Sequence, residues 1–314
     1  ALPIYEGTVE LDNDALEKVG KAGGEVSITV TKNSVASETS VAASYTVEVQ
    51  SDGDDLLPDG ESSNGTITLT LPVPAESQGT TLFVWYAVEQ GDSVMYVDRV
   101  GTYNANSGAV VTFDVSHLSR YDLLSSEPNA NETAVASITR NGQTTYYDSL
   151  QAAVNAVTTT EQTTIKLLKS TSGAGVKVDG TVKRNLTFDL GGCTYTIISG
   201  VGSSGTETNG FQLIKDNNIT ITNGTITAAP AEGQQVKILI QNYSNLTLEN
   251  VTLDGRGMTD YNGLNYTLSN NNGEITLKSG TVIQARADEI AMDVCWAASY
   301  QNGARVTVKE ETEI

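Results

Sequence analysis

Basic residues, histidine, cysteine and methionine are all scarce in this chain: 18 Lys+Arg, one His, two Cys and three Met. Two cysteines do not make a disulfide scaffold, because small secreted folds that depend on bridges use many more. Against 38 acids the few bases leave a net charge of −20. That charge repels nucleic-acid phosphates and anionic membranes, and leaves cations, sugars or other proteins as partners. No apolar run reaches the roughly 18–20 residues of a membrane-spanning helix. The opening ALPIYEG has neither an initiator Met nor a basic-then-apolar signal, so the chain reads as a mature or excised fragment. Scarce Lys, Arg, His, Met and Cys beside abundant Thr, Ser, Asn and Gly is a composition typical of surface proteins, which points to an extracellular, cell-surface location.

A chain of 314 residues predicts about two domains. Residues 1–128 hold 20 acids and 5 bases, whereas 129–314 hold 18 and 13, so the charge sits mainly at the front. The expected division is a first domain over 1–126, a linker over 127–134, whose polar residues show no periodicity, and a second domain over 135–314. In the first, TVELDNDALEKVGKAGGEVSITVTK predicts strand, short helix and strand, with Asp12 or Asn13 capping Ala15–Lys21. SYTVEVQ, GTITLTLPV, TLFVWYAVE, VMYVDRVGTYN and AVVTFDVSHLSRYDLL then alternate between turn residues, the spacing of an antiparallel β-sandwich. These residues, and the closing SHLSRYDLL in particular, resemble a module of Gram-positive bacterial cell-surface and surface-layer-associated proteins, whose members commonly end in His-Phe-Ser-x-Tyr. The resemblance covers about residues 7–125 and implies a spacer or stalk without enzymatic activity.

His117 is the chain's one imidazole, and it precedes Leu118 and Ser119. Alternation through Val111, Phe113 and Val115 puts it on one face of a continuing strand, which reads as a packed strand histidine. The tripeptide is also similar to the cleavage element of autoproteolytic sandwich domains. By that likeness Ser119 Oγ would attack the Leu118 carbonyl and His117 would polarise the bond, although the Cys and Trp residues of the receptor motif are missing. A Ser-His-Asp triad is disfavoured, since Ser119 is expected two residues along the same strand. Asp52, Asp54 and Asp59, in SDGDDLLPDGES, form an oxygen-rich group that could hold Ca²⁺, but the spacing does not fit an EF-hand and reads as a solvated acidic loop.

In the second domain a helix over Tyr147–Val157, capped by Asp148 or Ser149, leads to a buried strand at Thr164–Leu168. A repeat follows in RNLTFDLGGCTYTI, NNITITNGTITA, SNLTLENVTLDG, GEITLKSGTVIQ and ARVTVKEETEI. Its anchors Leu186, Ile219, Leu246, Ile275 and Val306 are spaced within the 20–50-residue period of a solenoid, whose two-strand units bury their apolar residues only by stacking. The predicted fold class is all-β: an antiparallel β-sandwich, then a right-handed parallel β-helix with an N-terminal capping helix. The segment resembles β-helix proteins of the pectate-lyase-like superfamily, particularly uncharacterised surface forms that open with YDSLQAAVNAV and NLTFDLGGCTYTI. The chain stops in what reads as a fresh coil, so continuation into further C-terminal domains is expected.

The resemblance raises polysaccharide cleavage as an alternative. Lyases of this fold bind Ca²⁺ through acids near a basic proton acceptor. The nearest candidates are Asp254, Arg256 and Asp260 in LDGRGMTDYNG, and Arg286 and Asp288 in QARADEIAMDV, and neither group matches a known motif. Tyr243, Tyr261, Tyr266, Trp296 and Tyr300 are candidates for a sugar-stacking strip, or for packing within coils. Nine Asn-x-Ser/Thr sequons read as corner asparagines followed by strand threonines and not as glycan acceptors. Cys193 and Cys295 are expected about three coils apart, beyond disulfide reach, with no cofactor implied other than Ca²⁺. The leading expectation is a non-enzymatic adhesion or scaffold protein that presents a β-helix to glycan or to a host or cell-wall protein.

Overall fold

The computed structural model describes residues 7–20, 26–35, 40–51, 54–57, 61–91, 93–104, 109–203, 207–259, 264–298 and 303–309. Among these the chain is all-β apart from two short α-helices and three 3₁₀ turns, and none of its helices is long and apolar enough to cross a membrane. It divides into two compact units, Ala1–Ala134 and Val135–Ile314.

The first unit begins with β1 (Thr8–Leu11) and α1 (Asn13–Gly20), where the Asp12 carboxylate accepts from the Ala15 amide at 2.9 Å. β2 (Val26–Lys32), β3 (Val41–Ser51), β4 (Asp54–Asp55), β5 (Ile67–Pro72), β6 (Leu82–Gln90), β7 (Ser93–Tyr103), β8 (Val110–Val115) and β9 (Arg120–Leu124) follow. They form two antiparallel sheets, one ordered β1-β5-β8 and the other β2-β3-β9-β6-β7, with β4 paired to β3. Alternation buries Ile67, Leu69 and Leu71 on β5 and Tyr45, Val47 and Val49 on β3. The Tyr45 hydroxyl on β3 donates to the Pro72 carbonyl on β5 at 2.7 Å, which ties one sheet to the other.

Two expectations change here. AVVTFDVSHLSRYDLL is not one strand: β8 ends at Val115, and β9 starts at Arg120 in the other sheet. The stretch 127–134 does not behave as a linker, because it is fastened to the first unit. Glu127 accepts from Trp85 Nε1 at 3.0 Å and pairs with Arg99 Nε at 2.9 Å. A 3₁₀ turn, Ala130–Glu132, is closed by a capping box between Asn129 and Glu132. The Ala134 amide then donates to the Tyr96 carbonyl at 2.8 Å. These residues lie beside the cluster of Trp85, Ala87, Tyr96 and Leu124.

The second unit opens with an antiparallel hairpin, β10 (Ala136–Arg140) and β11 (Gln143–Tyr147), and then α2 (Leu150–Ala156), whose N-cap Ser149 accepts from the Ala152 amide. The helix is shorter than Tyr147–Val157 because Tyr147 is taken up by β11. Next come β12 (Gln162–Leu167), β13 (Thr171–Ala174), β14 (Val176–Val178), β15 (Asn185–Asp189), β16 (Thr194–Ser199), β17 (Asn209–Leu213), β18 (Asn218–Ala228), β19 (Ile238–Asn242), β20 (Asn245–Asp254), β21 (Tyr266–Asn271), β22 (Glu274–Leu277), β23 (Val282–Gln284), β24 (Ile290–Cys295) and β25 (Arg305–Val308). Among the described residues the strand-to-strand pairings from β12 onward are parallel except that of β12 with β10, an isolated antiparallel bridge joins Val201 to Asn209, and the chain alternates between two sheets. β12-β15-β18-β20-β22-β25 run side by side in one, and β14-β17-β19-β21-β24 in the other.

The repeat anchors fall in one column: Leu186, Ile219, Leu246, Ile275 and Val306 are successive partners on β15, β18, β20, β22 and β25. The next column is Thr164, Thr187, Thr220, Thr247, Thr276 and Thr307, which the period of two turns to the opposite face. The first four anchors are buried in one core that also takes in Leu150, Ala153 and Val154 of α2. Strand β12 alternates exposed and buried, so it has one solvent face and is not the fully buried strand expected.

Candidate functional site

The connection from β8 to β9 carries His117, Leu118 and Ser119 between the two sheets of the first unit. The Tyr121 hydroxyl donates to the His117 carbonyl oxygen at 2.6 Å, and His117 Nδ1 lies 3.2 Å from that hydroxyl. A tyrosine that reaches back four residues to a backbone carbonyl at an inter-sheet crossing is a tyrosine corner. The His117 and Tyr121 rings lie nearly parallel, 6.2 Å apart, and Tyr86 packs 4.3 Å from the imidazole. Leu118 and Ser119 are buried, and the Ser119 carbonyl accepts from the Val47 amide at 2.9 Å. No described peptide bond is cis, and none of residues 117–119 has a left-handed φ. His117 is therefore a corner residue, not a strand residue, because the chain has to leave one sheet for the other at Val115.

Next to the corner, Arg120 makes a two-pronged contact with Asp122 through Nε at 2.8 Å and Nη2 at 2.9 Å, and reaches Glu89 through Nη1 at 2.5 Å. Asp122 is fully buried, and the Tyr96 hydroxyl donates to it at 3.3 Å. Burial, and then the Asp122 charge, push the Tyr96 phenol up. Burial opposes the Arg120 charge, but hydrogen bonding and attraction to Asp122 outweigh it and raise its pKa. Sequence patterning gave no sign of this network, since RYD reads as ordinary strand alternation.

Of the acidic-loop residues, Asp52 and Asp59 lie outside the described residues, and Asp54 is exposed on β4. Among the described residues no three His, Cys, Asp or Glu side chains are grouped to hold a metal.

In the second unit, Asp254 accepts from Arg256 Nε and Nη2, both at 2.8 Å, and this hydrogen bonding holds the Asp254 carboxyl below its usual range. Arg286 Nη2 meets Glu289 Oε1 at 2.5 Å and the Thr259 carbonyl at 3.2 Å. Asp288 is exposed, and Asp260 lies outside the described residues. Each arginine is thus held by its own neighbouring carboxylate. The aromatic candidates do not form a strip among the described residues. Tyr243 follows the end of β19 and Tyr266 opens β21, and the pairing of Ile238 with Tyr266 separates the two by roughly 16 Å along the strands. Trp296 is 63% exposed beyond β24, and Tyr261 and Tyr300 lie outside the described residues. Tyr243 borders a cleft of about 90 Å³ with Asp216, Asn245, Asn272 and Glu274.

The larger site was not anticipated. β18 and β20 bend at Asn223 (φ 60°) and Asn250 (φ 49°), left-handed positions that asparagine tolerates. At the same corner of the neighbouring repeats stand Gly191, Gly192 and Gly280, also left-handed. Asn250 Nδ2 donates to Asn223 Oδ1 at 3.0 Å, and Asn223 Nδ2 donates to Asp189 Oδ1 at 3.1 Å. Beside this ladder runs a groove of about 660 Å³ lined by Lys166, Asp189, Asn223, Thr225, Asn250 and Thr252 together with the corner glycines. A second amide ladder joins Asn185, Asn218 and Asn245 at 2.7 and 2.9 Å, and a third, buried, joins Asn242 to Asn270 at 3.0 Å. These ladders occupy six of the sequon asparagines: 185, 218, 223, 242, 245 and 250. Cys193 and Cys295 are free. Compared with protein-family models, curated proteins and solved structures, the chain matches none of them.

Proposed function

We propose that the chain is an extracellular or cell-surface binding module: an antiparallel β-sandwich spacer followed by a right-handed parallel β-helix that holds glycan in the groove at the Asn223/Asn250 corner. The tyrosine corner and the Tyr45–Pro72 bond between sheets support the sandwich. In-register parallel pairing over six strands, with the chain entering a second parallel sheet in each repeat, supports the solenoid, and α2 caps its first coil.

One observation carries the binding reading. Two successive repeats each give the groove an amide and a hydroxyl, Asn223 with Thr225 and Asn250 with Thr252, groups that both donate and accept, as sugar hydroxyls do. Binding without turnover is favoured because Arg256 and Arg286, the bases of the two acid clusters, are each tied to a carboxylate and none of these residues lines the groove. A glycan array probed with the whole chain and with Thr225→Val/Thr252→Val tests it. Retention that the double variant loses by about tenfold is expected. Release of reducing sugar or unsaturated product by the whole chain, or retention untouched by the variant, would refute the reading.

A further inference from the structure

On the reading that the groove holds glycan, we infer that its ligand is an uncharged linear polysaccharide lying parallel to the direction in which the strands stack, and not a uronic-acid polymer. The lining comes from five consecutive strands: Lys166 on β12, Asp189 on β15, Asn223 and Thr225 on β18, Asn250 and Thr252 on β20, and Gly280 just past β22. Four inter-strand steps of ~4.8 Å make the groove about 19 Å long, room for about four sugar rings end to end. Along that axis the amide and hydroxyl of Asn223 and Thr225 recur one strand on as Asn250 and Thr252, a step close to the repeat of a polymer's own rings. The corner ladder is already bonded along this axis, Asn250 to Asn223 to Asp189, so its amides are held in place, and beyond the ladder each has at least one donor and one acceptor site for a ligand. Across the axis the lining changes type from column to column, and a polymer would find no repeat.

Charge selects the class. One lysine and one aspartate in the lining cancel, and Asp189 Oδ1 is taken up by the Asn223 amide and the Gly191 backbone N–H at 3.1 Å. Glu249 on β20 and Lys278 just past β22 neutralise each other at 3.1 Å. A polyuronate would bring one carboxylate per ring to a groove whose described lining holds one ammonium, that of Lys166, on a chain of net charge −20. Among the described residues the lining contains no aromatic ring, so affinity comes from hydrogen bonds and grows with the number of rings engaged.

The test screens neutral, uronic and sulfated polysaccharides against the whole chain, then titrates oligosaccharides of one to six residues cut from the best binder. A neutral polymer is expected to bind best. Affinity should rise at least about tenfold from one residue to about four and then level off, and should change less than about twofold when salt is raised tenfold. Thr225→Val/Thr252→Val should lower the plateau about tenfold, and Thr220→Val, on the same strand outside the lining, should leave it. Best binding of a polyanion, a steep fall with salt, or a single sugar that binds as well as the tetramer overturns this inference alone. Retention of no glycan overturns the parent reading as well.

Discussion

Replacing Tyr121 by Phe removes one oxygen atom from the corner of the first unit and leaves the ring in place. Tyr121 is fully buried and packs against Phe113 at 5.4 Å, so apolar contact is conserved. The loss is the 2.6 Å bond to the His117 carbonyl and the contact with His117 Nδ1. A made hydrogen bond contributes about 1 kcal/mol net, and a half-buried acceptor left without its partner adds a further ~1 kcal/mol, giving about 2 kcal/mol. Urea unfolding followed by tryptophan emission suits the measurement. Trp85 is buried in the first unit, whereas Trp296 is already largely exposed and changes little. The midpoint should fall with the slope unchanged. His117→Ala keeps the carbonyl and should cost less than Tyr121→Phe. A Tyr121→Phe chain within about 0.5 kcal/mol of wild type would refute the corner as a staple.

Asp122→Ala leaves the half-buried Arg120 beside the exposed Glu89 alone, and should destabilise the first unit by about 3 kcal/mol in the same urea assay. Leu246→Ala opens a cavity between Ile219 and Ile275 and should cost about 2–5 kcal/mol, while Thr247→Ala, its neighbour on the outer face, should stay within about 0.5 kcal/mol; equal losses would mean the inward and outward columns are misassigned. Hydrogen bonding from Thr181, helped by Arg184, lowers the Asp179 carboxyl from 3.8 to about 2. A depressed folded value means stability present above the unfolded pKa and lost as pH falls from about 4 through about 2, which Asp179→Asn should abolish; an NMR titration of Asp179 centred near 4 would contradict it.

Periodicity made the second unit's columns legible. Leu186 through Val306 were readable because each repeat places an apolar residue at the same point of a strand, and parallel stacking keeps that register. The groove was not legible, since Asn223 and Asn250 look like turn residues until neighbouring repeats bring Asp189, Thr225 and Thr252 beside them. The sheet crossing at Val115 was hidden because alternation reads the same whether a strand continues or its successor pairs elsewhere. The segment 127–134 read as a linker because its partners, Trp85, Arg99 and Tyr96, are some 30 to 40 residues away and leave no local pattern.

The most direct test of groove binding is an NMR titration of the whole chain with the oligosaccharide best retained in the screen, read at backbone amides. The account predicts shift changes concentrated at Asp189, Asn223, Thr225, Asn250 and Thr252, with Tyr121 and Asp122 silent. Changes centred on the Tyr243 cleft or on the first unit, with those five residues unmoved, would contradict it.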